Sequence, residues 1–273
     1  YDDPDHSRRR DETWHDIQVM IDSGPEIAEA QDHLERFLAV TNGQDRPAPS
    51  TRLLTTLSRK RKVATPFLGP KPLSQTIARA HHARISAARK LIYLETQFFR
   101  DTHLAEALAQ AARNAPGLGL VLIVPGAPED VAFDGSSSSD ARFGEYLQAK
   151  AVDTVLEAFG PRVAICSPVR PVAKDTGGRD CLAGSPIVYV HAKASIFDDN
   201  SAIVSSANLN GRSLCWDTEA GVELTDRDIV RELRRRMLEH WLGEPLDEAF
   251  ASPDGVVAAI RQRAEDNLAA RPE

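Results

Sequence analysis

His191 and Lys193 stand two residues apart at the end of the apolar run Ile187-Val188-Tyr189-Val190, with Asp198 following and Ser205-Ser206-Ala207-Asn208 close behind. An imidazole can attack phosphorus or carry a proton, and an ammonium beside it can hold a phosphoryl oxygen. Together they supply what cleavage of a phosphodiester demands. The β-branched and aromatic run predicts a buried strand, and side chains two apart on a strand share a face. His191 and Lys193 are therefore expected to point the same way. Asp198 lies an odd number of residues from both and is expected to face away, as a structural anchor.

The elements around this run alternate between apolar strands and helices. Helices are expected from Gly24-Pro25 to about Leu38, from about 73 to 89, 102 to 114, 139 to 159, 226 to 241 and 255 to 270. Strands are expected at 13–21, 91–95, 118–124, 163–166, 201–205 and 219–224, and 167–186 reads as a surface loop. The four serines Ser136 to Ser139 offer an N-cap for the longest helix. The pattern predicts an α/β fold, a mixed β-sheet flanked by helices, with the site at the loop edge of the sheet. On the strand Ile92 to Phe99, Glu95 and Gln97 share a parity. Gln97 could reach a substrate or a catalytic side chain, or the two could simply finish a buried strand at a polar loop.

The H-x-K-x-x-x-x-D pattern of His191, Lys193 and Asp198, with S-x-N at Ser206 and Asn208, resembles the phospholipase D superfamily. Three further segments carry the same resemblance: Trp14-His15-Asp16 followed by Gly24-Pro25, the run Tyr93-Leu94-Glu95-Thr96-Gln97-Phe98-Phe99, and Asp217-Thr218-Glu219. The resemblance implies a phospholipase D-like layered lobe that cleaves phospholipid headgroups through a phosphohistidine intermediate. It needs two His residues, one from each of two motif copies. It implies no metal ion and no cofactor, because cationic side chains stabilise the transition state.

Carried over residue by residue, His191 becomes the general acid and base, Lys193 and Asn208 bind the nonbridging oxygens, and Ser206 and Gln97 lie at the substrate. Glu219, with Asp217 as runner-up, becomes the carboxylate that orients His191. Asp16 matches the carboxylate that orients the His of the other motif copy. Where relatives carry Gly before the Ser of S-x-N, this chain has Ser205, which is expected to be tolerated.

Only one copy of the motif occurs in these 273 residues. Residues 1–45 are expected to be the tail end of a first phospholipase D-like lobe, 46–72 a linker rich in Pro and charge, and 73–273 the second lobe, which carries the motif. The opening stretch to Arg10 reads as a loop of a longer chain. The expected partners are a phospholipid or other phosphodiester substrate and a second motif, supplied by an N-terminal lobe or by a homodimer partner. Three alternatives stand beside this: cardiolipin-synthase-like phosphatidyl transfer, a single-motif homodimeric nuclease-like phosphodiesterase, and an inert lipid-binding module.

Composition narrows the choice. With 42% hydrophobic residues the chain can bury a substantial core. A net charge of −7 weighs against an extended nucleic-acid surface, which would need an excess of Lys and Arg. The basic cluster Arg52 to Lys62 reads as a solvated linker or as a contact for anionic lipid headgroups, so peripheral membrane contact fits. The run Arg231 to Arg236 reads as the exposed face of a helix. Cys166, Cys181 and Cys215 are odd in number and lack metal-type spacing, which predicts neither disulfide nor zinc. A cytoplasmic or membrane-peripheral location is expected, with export left open.

Overall fold

Apolar residues on both faces of the central strands dictate a layer of helices on each side. The computed structural model describes residues 14–61, 69–133, 135–173, 178–247, 250 and 252–270. Its elements, in chain order, are α1 (Pro25–Thr41), β1 (Leu53–Arg59), β2 (Lys71–Gln75), α2 (Thr76–Ala87), β3 (Leu91–Thr96), α3 (Thr102–Asn114), β4 (Gly119–Ile123) and α4 (Glu129–Ala132). Then come α5 (Ser139–Phe159), β5 (Val163–Cys166), β6 (Cys181–Leu182), β7 (Ser185–Pro186), β8 (Lys193–Phe197), β9 (Ser201–Ser205), α6 (Gly211–Cys215), β10 (Glu219–Leu224), α7 (Arg227–Leu242) and α8 (Val256–Ala269).

Among the described residues the main sheet runs β2-β1-β10-β9-β8-β3-β4-β5. Strands β3, β4 and β5 are parallel and the remaining neighbours antiparallel, so the sheet is mixed as expected. Alternation along β3 sorts its side chains between two cores. Ile92 and Leu94 pack with α2, α3 and α5 through Ile77, Leu104, Leu108 and Val155. Leu91 and Tyr93 pack with α7 and α8 through Val230, Met237, Val256 and Ile260. Helix ends follow local chemistry: Asp101 caps α3, Ser138 from the serine run caps α5, and Asp226 caps α7.

Asp198 sits at the far end of β8 from His191, in the turn to β9, with a φ of 50° that Asp tolerates. Its carboxylate accepts the N–H groups of Arg89, Lys90 and Leu91 at 2.6–2.8 Å, which clasps the start of β3 to the end of β8.

Four expectations are corrected. The stretch 46–72 is not simply a linker, because Leu53–Arg59 is a buried strand paired with both β10 and β2. Its Leu-Leu-Thr-Thr-Leu core is short and flanked by Pro and by charge, which hides it from periodicity. Helix α1, from the segment assigned to another lobe, is tied to the start of β1 by Glu29. That carboxylate accepts the N–H groups of Thr51, Arg52 and Leu53 and the hydroxyls of Ser50 and Thr51. Burial works against its charge, yet these donors pull its pKa down to about 2.

The motif strand begins only at Lys193, so His191 precedes it, and the expected strand at 13–21, of which Thr13 lies outside the described residues, shows over 14–21 a single parallel bridge between His15 and Val190. The run Arg231 to Arg236 is not one exposed face. Arg231, Arg235 and Arg236 are exposed and paired along the helix, but Arg234 is buried, donating to both oxygens of Asp199 at 2.7 and 2.9 Å and to the Phe250 carbonyl.

Candidate active site

Antiparallel pairing brings the chemistry-bearing residues to one edge. Thr96 at the end of β3 faces Lys193 at the start of β8, and Ser205 at the end of β9 faces Gly221 near the start of β10. The residues just past these ends, His191, Gln97, Ser206, Asn208 and Glu219, therefore converge on one open cleft of about 1560 Å³, with Asp16 on its wall. Ser205 packs where a Cβ on Gly221 would come within 2.4 Å of its own Cβ. The small residue this crossing requires is supplied by Gly221, on the opposite strand.

His191 pairs with Asp16, not with Glu219 as expected. Its Nδ1 lies 2.9 Å from Asp16 Oδ2. The segment 14–16 runs beside the motif: the His15 N–H donates to the Tyr189 carbonyl, and the His15 carbonyl accepts from His191 and Ala192. Trp14 leans on both Tyr189 and His191, with ring centroids 5.3 and 5.2 Å apart. Burial raises the Asp16 pKa, but the His191 hydrogen bond, the Ile17 N–H and the Lys193 charge outweigh it and hold the carboxyl below its ordinary value. An ionised carboxylate only accepts, so His191 Nδ1 carries the proton and Nε2 is left for acid–base chemistry.

Glu219 instead accepts from the Ser206 hydroxyl. It is half-buried, in register with Thr56 of β1, and burial, helped by the Asp217 charge, raises its pKa. Asp217, the runner-up, pairs with Arg212.

Lys193 is buried, with its ammonium on the His191 carbonyl. Burial brings its pKa down to about 8, against the raising effect of the Asp16 and Glu219 charges. Gln97 links two elements, donating to the Tyr189 hydroxyl at 2.7 Å and accepting from Asn208 Nδ2 at 3.1 Å. Asn208 Oδ1 is buried and without a partner among the described residues. An imidazole with a free Nε2, an ammonium and the second amide N–H of Asn208 on one cleft wall can bind an oxyanion and move a proton to or from it.

Glu95 does not join Gln97 in the cleft. It is fully buried beneath it and bonded to His15, Tyr93 and Trp241. His15 has no assigned role in the sequence, although its parity opposite Asp16 is a usable signal. Among the described residues there is no group of three or more His, Cys, Asp or Glu that could hold a metal ion, and no helix long and apolar enough to cross a membrane. The three cysteines are free thiols.

The family model described as cardiolipin synthase, PLD-like domain, matches residues 82–241. The chain is 26% identical over 189 residues to phospholipase D1 of Rattus norvegicus, a match covering 59% of this chain and 17% of that protein. It is 25% identical over 175 residues to a cardiolipin synthase of Listeria monocytogenes, covering 64% of this chain and 30% of that one. The chain thus spans less than a third of the length of these relatives. Among solved structures, phosphatidylserine synthase of Haemophilus influenzae is similar over 90% of this chain and 55% of its own, at 14% identity and a TM-score of 0.47.

Proposed function

Because the chain belongs to the cardiolipin synthase, PLD-like domain family, within the phospholipase D superfamily, we propose that it is the acid/base half of a phosphodiesterase or phosphatidyltransferase acting on phospholipid headgroups. The single observation that carries this reading is the His191–Asp16 pair, set beside Lys193 and Asn208 on one cleft wall. The nucleophilic His comes from a second motif, supplied by an upstream lobe of the same protein. Large apolar side chains of the segment that would adjoin that lobe, Met20, Leu34 and Leu38, are exposed, in keeping with such a neighbour.

In the first step the partner His attacks phosphorus, and the P–O bond to the leaving alcohol breaks. Protonated His191 delivers its Nε2 proton to the departing oxygen, while Asp16 stabilises the imidazolium through Nδ1. In the second step neutral His191 takes a proton from water or from an acceptor alcohol, whose oxygen displaces the partner His from phosphorus. Lys193 and the second N–H of Asn208 bind nonbridging oxygens as charge develops. The hydrolytic and transferase readings use the same residues and differ only in the acceptor.

The whole protein, incubated with phosphatidylglycerol vesicles in the presence and absence of added ethanol, should release glycerol. A hydrolase yields phosphatidic acid in both cases, and a transferase yields phosphatidyl-alcohol products. No headgroup release from any glycerophospholipid would overturn the proposal.

The low Lys193 pKa gives a pH dependence. Its folded value of about 8 lies below the unfolded value of about 10.4. The folded state therefore holds fewer protons in that window, and stability rises with pH across it. Anion affinity moves the opposite way. Sulfate, whose charge is constant here, should lose affinity for the cleft by about tenfold per pH unit above about pH 8. Calorimetric titration checks this, and Lys193→Met should abolish the dependence. A wild-type affinity flat through pH 10 would mean that Lys193 does not hold the anion.

A further inference from the structure

Asp16 belongs to an extended segment that, among the described residues, runs beside the motif through one isolated bridge, His15 to Val190, yet its carboxylate must stay within hydrogen-bond reach of His191. Successive side chains of an extended segment point to opposite sides. Fixing the direction of residue 15 therefore fixes that of residue 16. His15 turns into the fold, where its Nε2 lies 2.9 Å from Glu95 Oε2, and its ring packs against both His240, stacked at 4.6 Å, and Trp241 at 4.3 Å.

The other Glu95 oxygen accepts from the Tyr93 hydroxyl at 2.5 Å and from Trp241 Nε1 at 2.7 Å, so both carboxylate oxygens are engaged. Sequence separations of 80 and 146 residues are bridged by this one buried side chain. A fully buried carboxylate away from the reacting atoms is costly to keep unless its bonds do something an apolar residue could not.

We propose that Glu95 and His15 form a clamp that positions Asp16 on His191, which makes both of them positioning residues for the acid/base group. This rests on the reading of His191 and Asp16 given above. Glu95 sits at the end of β3, two residues before Gln97, so one strand end both lines the cleft and anchors the segment that carries its carboxylate. Trp241 ties α7 into the same point.

The test reads the imidazole itself, in the chain as it stands. Side-chain ¹⁵N NMR at mildly alkaline pH should show His191 of the wild type as the Nδ1–H tautomer. In His15→Phe, which keeps an aromatic ring but loses the bond to Glu95, the Nδ1–H to Nε2–H ratio should fall about tenfold, the scale of losing one hydrogen bond to a charged acceptor. Adding Asp16→Asn to that variant should change nothing beyond what Asp16→Asn does alone.

His81, buried and bonded to Ser195 in the other core, is the internal control for an intact fold. If His15→Phe disturbs His81, Trp241→Phe provides the milder break, and it should move His191 in the same direction by less. An unchanged His191 tautomer beside intact His81 signals overturns the clamp alone. An Asp16→Asn variant whose His191 tautomer is unchanged overturns the acid/base reading as well, and so separates the two failures.

Discussion

His191→Ala, made in the whole protein, should lower headgroup release by about 10³-fold or more while leaving thermal unfolding nearly unchanged. General acid–base catalysis contributes about 10²–10⁴, and this imidazole acts in both steps, as acid towards the leaving alcohol and as base towards the acceptor. About 10³-fold corresponds to about 4 kcal/mol of transition-state stabilisation. The side chain lines the open cleft and belongs to neither apolar core, so its removal opens no core cavity.

Asp16→Asn should reproduce much of the loss, because an amide N–H facing Nδ1 moves the imidazole proton to Nε2 and leaves the wrong tautomer for the base. Both losses should fall on kcat more than on KM, since the proton moves only in the transition state. Steady-state kinetics of the two variants against wild type decides the matter. A His191→Ala enzyme that retains its turnover removes this residue from the reaction.

Arg234→Met should destabilise the fold by about 3–5 kcal/mol, the usual cost of breaking a buried ion pair from one side. The guanidinium makes two bonds to Asp199 and one to the Phe250 carbonyl, and its removal strands a buried carboxylate. Against a typical total of about 5–15 kcal/mol this is a large fraction. Asp199 also sits at a φ of 53°, in the turn that follows the motif, so the pair ties α7 to the end of β8. Urea denaturation should show a lower midpoint at an unchanged slope. Adding Asp199→Asn, which removes the stranded charge and tolerates the left-handed backbone, should recover part of the loss. A midpoint equal to wild type would mean that the pair contributes no net stability.

The family and the alternation of strands with helices were legible in the chain, because each rests on local properties. H-x-K, S-x-N and the apolar runs at 91–95 and 201–205 need only neighbours to be recognised. Strand β1 was not legible, because its short Leu-Thr run becomes buried only through β10 and β2. Arg234 looked like its exposed neighbours until Asp199 met it across the fold.

The same division runs through the site. From the sequence alone, His191, Lys193, Ser206 and Asn208 belong together, and Asp198 belongs elsewhere. Tertiary structure decided which carboxylate serves the imidazole. Asp16 and Glu219 are equally acidic on paper, and the choice depends on a contact 175 residues apart in the chain. Sheet register turns Glu219 toward Ser206, and the anchoring of His15 turns Asp16 toward His191. Hydrogen-bond partners are set by which groups close in space after the core has formed, and local pattern does not contain that information.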